Sequence, residues 1–144
     1  MKVDFINNEH FIIYYLSDDK IRTEDEMKTF FKLLNYDLKH KYDYEFSGYY
    51  NVTIFCCYDL YILDFESVDD YGSADFNITM LLNSIILYEI DDFDIINGDK
   101  IFYKDKFYVE VADMLNDIHL FEYGNIIYGN KVDEILRNGI LVSI

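Results

Sequence analysis

Near its C-terminal end the chain reads EYGNIIYGNKVDEIL, from Glu122 to Leu136. Gly124, Gly129 and Lys131 come close to the phosphate-cradling pattern G-x-x-x-x-G-K-[ST]. In that pattern backbone N–H groups wrap the phosphates, the lysine directly after the second glycine reaches them, and a hydroxyl holds Mg²⁺. Here Asn130 separates Gly129 from the lysine, and Val132 takes the place of the hydroxyl. The loop interior, Ile126-Ile127-Tyr128, is bulky and apolar. The stretch therefore reads as a strand over Asn125–Tyr128 between two glycine turns. It feeds a short helix over 131–137, for which Asn130 is a good N-cap. Nucleotide binding is not expected.

Asp92, Asp94, Asn97 and Gly98 suggest a calcium loop. The EF-hand needs D-x-[DN]-x-[DN]-G and a Glu at position 12. Counted from Asp92, Asn97 and Gly98 fall one residue late and position 12 is Tyr103. His10, His40 and His119 stand far apart, with no H-x-x-x-H or C-x-x-C spacing, and read as surface or interfacial residues, not ligands. Cys56 and Cys57 are adjacent in a strand-like run, where neighbours point to opposite faces, so a disulfide between them is disfavoured. Their surroundings are acidic, which does not suit a thiolate nucleophile, and they read as buried thiols of a reducing compartment. No G-x-S-x-G elbow occurs. Carboxylates are so frequent that no pair stands out for acid–base work. No catalytic residue, cofactor or metal is expected.

What remains is surface charge. Twelve basic and 28 acidic residues leave a net charge of −16. Such a field repels nucleic-acid phosphate and anionic lipid, and attracts a basic protein surface. Two acidic clusters, Asp64, Glu66, Asp69 and Asp70, and Glu89, Asp91, Asp92 and Asp94, are the candidate partner-binding residues. The plainer reading is that they are solvated faces that keep a Tyr- and Ile-rich chain dispersed.

These groups must be positioned by regular elements. Met1–Leu16 has two apolar runs around the turn-like Asn7-Asn8-Glu9 and predicts a hairpin. Thr23 and Glu26 form a capping box, and Met27, Phe30, Phe31, Leu34 and Leu38 recur at helical spacing. They predict an amphipathic helix over about 23–39 with Lys28, Lys32 and Lys39 on its solvent side. Strands are expected over 49–57 and 60–66, then over 100–103 and 107–111. Asn97-Gly98 is a hairpin signal. Segment 76–90 is not assigned, although Ile85–Tyr88 has the look of a buried strand, and 113–121 is ambiguous. The last residues, ILVSI, suit an edge strand. Ser67–Asp75 is rich in Gly, Ser and Asp and is where a single compact domain spanning 1–144 would subdivide. The fold class expected is α+β, a mainly antiparallel sheet covered by one long helix, with a short C-terminal helix. Tyr-rich edge strands are compatible with a homodimer.

Two stretches resemble the MecA family of bacterial adaptor proteins, which hand substrates to an AAA+ chaperone of the ClpC type. INNEHFIIYYLS resembles that family's N-terminal strand entry. IHLFEYGNIIYGNKVDEIL resembles its C-terminal pattern at Ile118, His119, Glu122, Tyr123, Gly124 and Ile127. The spacing from His119 to Tyr123 is one residue short of that pattern, the acidic linker is absent, and the long helix before the "IH" segment is nearly missing. The resemblance implies an adaptor that acts by protein–protein contact. Together with the charge, it sets the expectation of a non-enzymatic cytosolic interaction module with a basic protein partner and no direct contact to nucleic acid or membrane. The alternative is an acidic decoy that mimics nucleic acid.

Overall fold

The computed structural model describes residues 1–18, 20–90, 99–111 and 118–142. The chain divides into two compact units, Met1–Ile54 with Asp59–Met80, and Phe55–Tyr58 with Leu81–Ile144. Residues 67–75 lie within the first unit.

The first unit begins with the expected hairpin, β1 (Lys2–Asn7) and β2 (His10–Leu16). The helix α1 follows over Glu24–Tyr42. Thr23 caps it, its Oγ1 accepting from the Glu26 N–H at 3.1 Å. The helix runs three residues past the expected end, because Lys39, His40 and Lys41 in its last turn complement the dipole although apolar spacing has ceased. Asp43 ends it in the left-handed region. Then come β3 (Tyr49–Cys57), β4 (Leu60–Asp69) and β5 (Asp75–Leu81). The sheet order is β1-β2-β4-β3-β5. β1 and β4 both pair antiparallel with β2.

Strand alternation sends Phe11 and Phe65 to one face, where their rings stack at 4.8 Å. Phe31 of α1 meets Phe65 at 6.1 Å and Phe76 at 4.8 Å, while Phe30 meets Tyr15 and Tyr61. Tyr50 is fully buried, its hydroxyl engaged by Tyr44 and by the Ser47 N–H. β4 continues through Ser67–Asp69, past the expected end at Glu66. The residues after it are tied down at Gly48, whose φ of +80° excludes most side chains and whose Cβ would sit 2.2 Å from the Asp69 carbonyl oxygen.

The expectation of one sheet is corrected: among the described residues a second sheet of five strands forms, in the order β10-β7-β8-β6-β9. Its strands are β6 (Leu87–Ile90), β7 (Lys100–Tyr103), β8 (Lys106–Glu110), β9 (Asn125–Ile127) and β10 (Ile140–Val142). Alternation marks a run as a strand but does not name its neighbours, so one sheet and two look alike in sequence. β7 and β8 form a hairpin through Lys104 and Asp105, both at positive φ as its tight turn requires. The Asn97-Gly98 signal lies outside the described residues. Between β8 and β9 stands α2 (Ile118–Tyr123). The terminal helix α3 spans Asn130–Asn138, and its N-cap is Gly129, at φ 70°, with no side-chain cap bond. Asn130 is thus the first helical residue and not the cap. Val132 and Ile135 of α3 join Leu87 and Tyr108 in a buried cluster.

Candidate functional site

The phosphate-loop candidate is resolved by pairing. Asn125, Ile126 and Ile127 lie in an antiparallel ladder against β6, and Ile126 is buried. This backbone is committed to a sheet and does not cradle an anion. Cys56 and Cys57 are both buried and form no disulfide. Burial, with Glu110 adding to it, pushes the Cys57 thiol up, away from a reactive thiolate.

The proposed acidic residues have different surroundings. Asp64, half-buried on β4, lies 2.6 Å from His10 Nε2. Glu66 is exposed two residues further along. Asp69 is exposed and accepts from the backbone N–H groups of Tyr49 and Tyr71, both at 3.3 Å, so its carboxylate organises the turn after β4. Asp70 is exposed beside it. Glu89 belongs to the second unit, where Lys106 Nζ reaches it at 2.9 Å and the Asn125 amide at 3.4 Å. Its side chain is only 8% exposed. Asp91, Asp92 and Asp94 lie outside the described residues.

One face of the first sheet gathers titratable groups. His10 stands opposite Glu66 in the ladder and Asp64 opposite Ile12, which in turn is opposite Asp4 on β1. All are on the face away from Phe11 and Phe65. Tyr14 is buried on the same face, and burial, then the Asp4 and Asp64 charges, push its hydroxyl up to about 12. Lys2 Nζ lies 5.1 Å over the Tyr14 ring, and partial burial holds its ammonium below the usual range. Spacing alone marks His10 as a surface or interfacial residue, and it is half-buried. Its partners are 54 and 56 positions away, and only the strand register reveals them.

Two hollows flank α1. One, of about 610 Å³, has Tyr15, Ile21, Phe30 and Leu33 as apolar lining and Lys20, Arg22, Asp25 and Glu26 around it. Lys20 is held by Asp59 at 3.1 Å. The other, of about 330 Å³, is lined by Phe31, Phe46 and Phe76 with Lys28, Lys32 and Glu45. Leu33 is 53% exposed and Tyr36, against which His40 packs at 4.1 Å, is 62% exposed. Sequence periodicity found the buried stripe of α1 but not this second apolar stripe on its solvent side.

No protein-family model matches the chain, and no curated protein or solved structure shows significant similarity to it. Among the described residues no helix is long and apolar enough to cross a membrane.

Proposed function

We propose that this chain is a non-enzymatic protein-interaction module. The observation that carries the reading is the larger hollow beside α1, an apolar floor ringed by charge. Protein contact sites share this plan: a desolvated centre that takes apolar anchors and a polar rim that sets register. Leu33 and Phe30 would receive a partner's aliphatic or aromatic side chain, and Asp25 and Glu26 would meet its basic residues. The net charge of −16 would raise the rate at which a basic partner meets the molecule as a whole, while the rim of the hollow, Lys20 and Arg22 with Asp25 and Glu26, presents both signs. This reading agrees with the adaptor role that the MecA-like stretches imply. Nucleic-acid mimicry is less well supported, because Asp64, Asp69 and Glu89 are engaged by His10, by backbone N–H groups and by Lys106.

The test is affinity capture from bacterial lysate with the wild-type chain and Leu33→Glu, followed by identification of the retained proteins. Leu33 is solvent-facing, so the substitution leaves the fold intact. A partner held by wild type and lost with Leu33→Glu is the expected result, and an AAA+ chaperone would make the module an adaptor. Retention of a nuclease or polymerase unaffected by Leu33→Glu would favour the decoy. No retained protein at low salt would overturn the proposal.

A further inference from the structure

We propose that His10, Asp64 and Glu66 form a binding site for a divalent transition-metal cation, with Zn²⁺ as its simplest occupant. His10 and Glu66 are directly opposed across the β2–β4 ladder, and Asp64 is two residues from Glu66 on the same face. His10 Nε2 and Asp64 Oδ1 are 2.6 Å apart, and ligand atoms of the three residues all lie within 4.8 Å of one another. Donors about 2.0–2.2 Å from a tetrahedral ion are roughly 3.4 Å apart, so small side-chain rotations close the shell. Glu66 is exposed and free to swing, while β2 and β4 pair along their length and hold the other two in place.

The donor chemistry narrows the ion. One imidazole and two carboxylates, with no thiolate, suit Zn²⁺ and its transition-metal neighbours, whereas Mg²⁺ and Ca²⁺ prefer oxygen alone. The nitrogen donor sets this trio apart from the carboxylates spread over the rest of the chain. Asp4, in line with Asp64 across β1 and β2, adds a third negative charge to the face. On binding, the ion takes the Nε2 lone pair, the proton shared between Nε2 and Asp64 leaves that position, and the metal-bound neutral ring carries its one hydrogen on Nδ1, with any surplus proton released to solvent. Three protein donors leave a fourth position for water, as in open zinc sites.

The proposal stands apart from the hollow beside α1 and can fail or succeed independently of it. The full chain, stripped with chelator, is titrated with ZnCl₂ by calorimetry beside His10→Ala and Glu66→Gln. Wild type is expected to take up one equivalent at this site, with affinity falling by at least about 10-fold in each variant, since loss of even an outer partner of a metal ligand costs about 10- to 100-fold. In long-range ¹H–¹⁵N spectra the His10 ring nitrogens should shift on Zn²⁺ addition while those of His40 stay in place. Should His10→Ala fail to fold, Glu66→Gln, at an exposed position, carries the test. Equal affinity in wild type and both variants would overturn the site and assign the uptake to carboxylates elsewhere. No uptake by wild type would overturn it as well.

Discussion

Tyr14 illustrates how much a single residue owes to its neighbours. In the unfolded chain its phenol ionises near 10; in the fold, burial and the Asp4 and Asp64 charges move it to about 12. The sign follows from linkage. Between those values the unfolded state gives up its proton first, so the stabilisation present below pH 10 is lost as pH rises through 12. Across that window Tyr14→Phe should lose less stability than wild type in urea titrations, by at most about 2–3 kcal/mol. Equal pH slopes would show that the hydroxyl is not held in this environment. Little of this was legible in the sequence, because Asp64 is 50 positions from Tyr14 and proximity arises only from strand pairing. The same holds for His10, whose lack of a metal-type spacing said nothing of ligands supplied by another strand. Asp69 and Glu89 are alike in this: an acidic residue in a cluster looks unengaged until donors such as the Tyr49 N–H and Lys106, brought from other strands, are seen.

Elements were more legible, in proportion to how local their signals are. The start of α1 was marked by Thr23 and Glu26, and its buried residues Phe30, Phe31, Leu34 and Leu38 are four of the five that helical spacing picks out, Met27 being half-buried. Its last three residues carry no periodic signal, because charge in the last turn, not apolar spacing, favours them. The helix α3 relies on packing instead. It has no side-chain cap, and Ile135, fully buried, anchors it among Leu87, Tyr108 and Val132. Ile135→Ala should therefore destabilise the chain by about 2–5 kcal/mol, read as a lower urea midpoint. A loss under about 1 kcal/mol would mean that α3 does not depend on this contact. Segment 76–90 defied assignment for a physical reason. It contains the edge strand β5, a turn and the buried β6 in quick succession, and the exposed apolar residues Leu81, Leu82 and Ile85 around the turn hide where one strand ends and the next begins.

At the scale of the whole molecule, charge dominates. Six of the twelve basic residues but only four of the 28 acidic ones lie within 20–41, so the helix region is mildly cationic in an otherwise strongly acidic chain. Self-repulsion of that excess weakens the folded state, and salt screens it. Raising NaCl from about 10 mM to about 0.5 M should raise Tm, by roughly 3–4 °C for each kcal/mol of repulsion relieved. A Tm that falls would instead assign net stabilisation to pairs such as Glu89–Lys106. The charge balance, the α+β class, the strand and helix stretches outside 76–90 and 113–121, and the failure of the phosphate-loop and EF-hand patterns were determined by the sequence itself. Each depends on composition or on spacing within a few residues. The division into two sheets, the meeting of His10 with Asp64 and Glu66, and the hollows along α1 were decided only by the tertiary structure. They depend on which strands pair, in what register, and on what packs over them. Those choices are made between residues tens of positions apart, and no local spacing encodes them.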